Sequence, residues 1–245
     1  TFMDRNAEIE ALSLIATIEE RRENLNEALA RVEEVIPMIE SLRSNVLNPD
    51  LRSSLLAAMD DAYKLYVAVL MQLHSRRPDQ GLDAKALQVN ESARARSLLE
   101  LLTENRANIR QGVNPELLEK EKLLQQRFNE KAKVITDSLL SGRSKDYIAK
   151  VNRELDNITN AYQQVQAQIR ATSPRYAALT QPQPLTLKEI QAQALDADTL
   201  LLEYSLGSDR SYLWAVTPTS ITSFVLPKAQ EISSKARNVY KLLTA

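Results

Sequence analysis

The sequence predicts a mainly α-helical protein whose long helices give way to a small β-sheet and a terminal helix. Three observations carry this. The chain has 245 residues but only four glycines, Gly81, Gly112, Gly142 and Gly207, and helix interiors have little use for glycine. From Ile148 the apolar residues Val151, Leu155, Ile158, Tyr162, Val165 and Ile169 recur at alternating spacings of three and four, the seam of a helix that packs on another helix. After residue 198 the pattern changes to runs of β-branched, aromatic and aliphatic residues separated by turn-forming segments.

Taken in order, residues 4–22 read as a helix with Ile9, Leu12, Ile15, Ala16 and Ile18 on one side. Residues 25–45 read as a second, with Pro37 inside it and a kink expected about one turn earlier. Asn48-Pro49-Asp50 is a break and a cap that opens a third helix over 50–75. RRPDQG, Arg76 to Gly81, is a turn, and residues 82–104 form a fourth helix. Asn114-Pro115-Glu116 supplies a cap, a proline at the first position and an acid in the first turn of a fifth. Leu117, Leu124, Phe128, Ile135 and Leu139 give that helix a seam facing the one after Ile148. With Ser141-Gly142-Arg143-Ser144 as the turn, the two predict an antiparallel hairpin about 40 Å long at about 1.5 Å per residue. Thr180 to Pro184 is a Pro/Gln linker, and Thr186 to Leu195 a short helix. Strands follow at 199–206, 211–217 and 220–226, then an amphipathic helix over 228–244 with Ile232, Ala236, Val239, Tyr240 and Leu243. Three strands and one helix are too few to cover both faces of a sheet, and an edge stays open. This, the absence of a first Met and the KLLTA ending lead to the expectation that the chain is part of a longer protein.

Composition removes several chemistries. No cysteine is present, so disulfides, thiolate metal sites and cysteine nucleophiles are excluded for this chain. A single histidine, His74, rules out a multi-histidine metal site, and a hydrolytic triad would have to use it. It sits beside Arg76 and Arg77 near a helix end, where cations suit the dipole. The glycines are too dispersed for a phosphate loop or a dinucleotide fingerprint, so no cofactor is expected. A net charge of −1 gives no electrostatic case for nucleic acid or a membrane surface, and no apolar run approaches the ~18 residues of a membrane span. A cytoplasmic protein is expected.

The run ARARSLLELL, Ala93 to Leu102, holds the main candidate residues. At about 100° per residue Arg94 and Arg96 diverge by about 200°, so they form no shared basic patch. Arg96 can reach Glu100 at i+4. Leu98, Leu99, Leu101 and Leu102 cover more than one face, which predicts packing on two sides. Arg94, Arg96, Leu98 and Glu100 are therefore candidates for a junction between regions, set against the plainer reading of a buried helix with solvated arginines. Tyr63 and Tyr66 are candidates for a partner-binding groove. Glu203 is expected to face solvent or pair with Arg210, and Tyr212 and Trp214 to alternate with Leu213 between core and surface.

Leu12, Ile15 and Ala16, then Ala28 and Val32, fit the large-and-small pattern of a tetratricopeptide repeat, with Glu19 in place of the final aromatic. Tyr63, Tyr66, Val67 and Leu70 with Ala86 and Ala93 fit a second pair less strictly. DAKALQVNESARARSLLELL (83–102), RYAALTQPQPLT (175–186) and DADTLLLEYSLGSDRSYLWAVT (196–217) together resemble the junction between tetratricopeptide repeats and a CHAT domain, the caspase-like domain associated with such repeats in bacteria. The resemblance implies degenerate repeats over 1–110, the long hairpin over 111–173, and a linker with the N-terminal part of a CHAT-like α/β domain over 174–245. It also implies a His-Gly motif and a later cysteine as the catalytic pair. Neither is in this sequence: His74 is followed by Ser75, and no catalytic role carries over to any residue.

Three functional readings follow. One is a repeat scaffold that binds a protein or peptide. Another is the regulatory front of a caspase-like peptidase, without catalysis of its own. The third is a structural protein that self-associates through the hairpin over 117–169.

Overall fold

In the computed structural model the described residues are 2–45, 49–104, 112–140, 143–174, 176–177 and 184–244. The predicted mainly α class, with a small β end, is what forms. Among the described residues the helices are α1 (Phe2–Arg21), α2 (Leu25–Asn45), α3 (Pro49–Arg76), α4 (Leu82–Glu104), α5 (Pro115–Leu140), α6 (Lys145–Thr172), α7 (Leu187–Gln193) and α8 (Ala229–Thr244). Strands β1 (Leu201–Ser205), β2 (Ser211–Val216) and β3 (Ile221–Leu226) form an antiparallel sheet in the order β1-β2-β3. Asn48, Ser141, Gly142 and residues 180–183 lie outside the described residues, as do the side chains of Asp50, Leu99, Glu100, Leu101, Leu102, Ile135 and Leu139.

Helix boundaries follow local chemistry. Asn114 Oδ1 accepts the backbone N–H of Glu116 at 2.8 Å, so the cap holds an amide that has no helical partner. Ser144 caps α6 by accepting from the Tyr147 N–H at 3.3 Å. Thr186 and Glu189 form a reciprocal capping box at the start of α7. α2 runs through Pro37 without a break in helical assignment. At Gly207 a β-carbon would lie 2.4 Å from the Arg210 carbonyl oxygen, so only glycine fits the β1–β2 turn there.

The chain forms two compact units, and α1 to α4 each contribute a segment to both. The first comprises residues 1–14, 34–59 and 95–183. Its centre is the α5–α6 hairpin. Contacts pair Glu121 with Tyr162 and Lys131 with Glu154, so one number rises as the other falls and the helices are antiparallel. Val113, Leu124, Val165, Ile169 and Tyr176 form its core, flanked by Leu117, Leu118, Ile158, Ala161 and Tyr162. The heptad seam thus faces inward as its spacing predicts. A buried carboxyl group sits within it: Glu121 is 1% exposed, accepts from the Tyr162 hydroxyl at 3.3 Å and is also hydrogen-bonded by the Gln166 amide.

The second unit comprises residues 15–33, 60–94 and 184–245. Leu25, Ala28, Val69 and Leu73 form one core cluster, with Leu29, Leu65 and Leu82 against it. Ala16, Ala28 and Ala86 are wholly buried, small residues that let helix backbones approach. The sheet covers one face only. Glu203, Ser205, Tyr212, Trp214 and Val216 point inward and are buried. Leu202, Tyr204, Leu206 and Phe224 alternate with them and remain exposed on the other face. No residue of α8 is buried, and Val239, Tyr240, Leu242 and Leu243 are 55–81% exposed.

Ile169 is fully buried in the hairpin core. Ile169→Ala is expected to cost about 2–5 kcal/mol through lost burial and a residual cavity, measured by urea denaturation.

Candidate functional site: a carboxyl group held between helix and sheet

Two periodicities build the most unusual polar cluster. On α4, Asn90 and Arg94 lie four residues apart, and Glu91 lies three before Arg94, so all three share one side of the helix. On β1, alternation places Glu203 on the same face as Ser205 and inward. Glu203 is in register with Trp214, which is fully buried. The strand cannot turn its carboxylate outward without turning its neighbours with it. This corrects the expectation that Glu203 faces solvent or pairs with Arg210. Pleat parity shared with Tyr212 and Trp214 decides its side.

The Glu203 side chain is 1% exposed. Asn90 Nδ2 donates to Glu203 Oε1 at 2.6 Å and approaches the Tyr204 carbonyl at 3.4 Å, so one amide ties α4 to β1 twice. Arg94 Nη1 lies 3.3 Å from Glu91 Oε1 and 3.8 Å from Glu203 Oε1. Arg94 itself is 62% exposed, and such a solvated pair contributes little. Burial pushes the Glu203 carboxyl up to about 8, and a hydrogen bond shared with the Glu91 carboxyl adds to the shift. Asn90 and Arg94 oppose it. Burial thus favours the neutral form of the Glu203 carboxyl.

The other candidate residues separate. Arg96 Nε donates to Glu40 Oε1 at 3.0 Å, with both side chains 20% exposed, so this arginine joins α4 to α2. Leu98 is 58% exposed, which corrects the expectation that it packs: its position on α4 faces away from the helix's neighbours. Tyr63 is buried in the core and is not available as a groove residue. Tyr66 is partly exposed and donates to Glu33 at 2.9 Å, while Lys85 reaches the same carboxylate at 2.5 Å and stands over the Tyr66 ring. Burial pushes Glu33 up, but the Lys85 ammonium and Tyr66 hydroxyl outweigh it and hold the carboxyl below the usual range. His74 Nδ1 lies 3.7 Å from Asp83, beyond hydrogen-bond reach. No group of three or more potential metal ligands occurs among the described residues. No helix among them is long and apolar enough to cross a membrane.

Asn90, Glu91 and Glu203 did not emerge as a site from the sequence, although all three lie within its most distinctive runs. The signal was the parity of Glu203 with Tyr212 and Trp214. Asn90→Ala leaves the buried carboxyl without its shortest donor and is expected to cost about 1–3 kcal/mol at pH 7 in urea denaturation. A double-mutant cycle with Arg96→Met and Glu40→Gln is expected to give a coupling of about 1 kcal/mol, since both side chains are largely shielded from water.

Compared with known proteins, the chain matches no family model, no curated protein and no solved structure.

Proposed function

We propose that this chain is a non-catalytic protein-interaction and regulatory region, built from degenerate tetratricopeptide-like helix pairs and set beside a caspase-like domain of the CHAT type. The observation that carries the reading is the uncovered apolar surface of the second unit. Leu202, Tyr204, Leu206 and Phe224 on the outer sheet face are exposed, as are Val239, Tyr240, Leu242 and Leu243 on α8, and such apolar residues suit burial against further α/β structure. The wholly buried Ala16, Ala28 and Ala86 support the helix-pair half of the reading, because close helix crossings need small residues. The partner is a protein or peptide, and Tyr66 with Lys85 is the polar feature at which a helical groove would recognise it. The setting is cytoplasmic.

Sequencing the native gene product beyond residue 245 tests the reading. A His-Gly segment followed by a cysteine is the expected result. A product without them removes the peptidase-associated role. Leu242→Lys places a charge on an 81% exposed residue, so the isolated chain is expected to keep its stability within about 0.5 kcal/mol. In a protein that carries a caspase-like domain after residue 245 the same substitution is expected to be strongly destabilising, and equal tolerance with and without that domain would show that it does not cover α8.

A further inference from the structure

We propose that strand β3 is a docking edge for a second copy of this chain, the two β3 strands pairing antiparallel about a two-fold axis at Ser223 into one continuous sheet. The inference does not depend on a caspase-like neighbour. It rests on how the two edges of the sheet differ. At the β1 edge, the Asn90 amide of α4 reaches the Tyr204 carbonyl at 3.4 Å. At the other edge, among the described residues, β3 pairs with β2 alone. Open edges are ordinarily guarded by a charge, a proline within the strand or a bulge. β3 has none of these. Its register with β2 runs unbroken from Ile221 to Leu226, and no Asp, Glu, Lys or Arg occurs from Ser211 to Pro227. Side chains on both of its faces are exposed, Phe224 by 46% and Val225 by 64%.

Ladder alternation decides which backbone groups that edge offers. In an antiparallel sheet, residues that bond one neighbouring strand alternate with residues that bond the other. The Tyr204 carbonyl is met by Asn90, so it points away from β2, and Glu203 bonds its register partner Trp214. Leu213 and Ala215 then bond Phe224 and Thr222. This leaves the N–H and C=O groups of Ile221, Ser223 and Val225 directed at the open edge.

A two-fold axis at Ser223 uses all of these groups. It sets Ser223 opposite Ser223 of the second copy and Ile221 opposite Val225, with about six hydrogen bonds between the strands. Moving the axis to Phe224 sets Ile221 against Pro227, which has no N–H, and moving it to Thr222 sets Val225 against Thr219 in the β2–β3 turn. The Ser223 axis also lays the exposed Val225 against a β-branched Ile221 on the inner face and Phe224 against Thr222 on the outer one, with no like charges opposed. The strand is thus complementary to itself, which favours a second copy over a charged peptide as the occupant. An edge of six residues falls short of the ~1,200 Å² of a standard interface, so the dimer is expected to be weak, with a dissociation constant of about 10 to 100 µM.

Sedimentation velocity on the full 245-residue chain, from about 1 to about 300 µM, reads the dimer, and a monomer-to-dimer shift within that range is expected. Ser223→Pro removes an N–H that points away from β2, a place where an edge strand tolerates proline, and is expected to weaken association about tenfold or more. Val225→Lys puts a charge on the exposed edge and should do the same, which keeps the test decisive if the proline variant does not fold. Because the chain has no cysteine, Ser223→Cys carries a single thiol on the axis. A short bis-maleimide should join two copies there, whereas Ser75→Cys, exposed at the end of α3, should stay uncoupled. A chain that remains monomeric throughout overturns the pairing. So does a dimer that neither β3 variant weakens, as self-association through the α5–α6 hairpin would give, or one in which Ser223→Cys couples no better than Ser75→Cys.

Discussion

Burying a carboxyl group is the constraint on which the second unit depends. An isolated carboxylate taken out of water costs several kcal/mol even after its surroundings relax, and far more in a rigid apolar medium. Glu203 sits beside Trp214, and among the described residues the cation within reach of it is the solvated Arg94. The molecule meets the cost in two ways. Burial raises the carboxyl's pKa and so favours its neutral form, and the Asn90 amide donates to the carboxyl oxygen at 2.6 Å. The sheet is therefore attached to the helices through polar groups whose partners must all be present together, whereas an apolar contact tolerates small shifts.

The first unit uses the same kind of device in a different frame. Its hairpin seam encloses Glu121, whose carboxyl group is met by Tyr162 and Gln166 of the facing helix. The Tyr176 hydroxyl donates to Gln166 Oε1 at 3.2 Å, which extends the network past the end of α6. A seam of Leu, Val and Ile can slide by a heptad with little change in buried area. A carboxylate that must find one tyrosine and one glutamine cannot, so the polar residue defines register at some cost in stability. Arg96 with Glu40 does comparable work between α4 and α2.

Helix boundaries were legible in the sequence because they depend on local chemistry. Pro115 after Asn114, Ser144 and the Thr186–Glu189 pair each solve a problem within four residues, namely amides at a helix start that lack partners. The α6 seam was legible for a related reason, since its 3–4 spacing is a property of one helix. What was not legible depends on two distant segments meeting. Glu203 reads as a surface charge when taken alone, and only its register with Trp214 and the approach of Asn90, 113 residues earlier, put it inside. Leu98 fails in the opposite sense: four leucines in five positions imply burial all round, yet this one is left to solvent. Tyr63 and Tyr66 are three residues apart on one helix, and only the surrounding packing separates the core residue from the partly exposed one.

Strand pleating joins the inner carboxyl to the outer surface. Along β1, Glu203 and Ser205 face the helices while Leu202, Tyr204 and Leu206 face away, and a slip of one residue would exchange the two sets. Tyr204 stands opposite Leu213, and Leu213 opposite Phe224, so one row of outward side chains crosses all three strands. What fixes Glu203 against α4 therefore also fixes the position of that row. A partner that docks on the outer face reads a surface whose register is set on the inner one, by a carboxyl group only one strand thickness away.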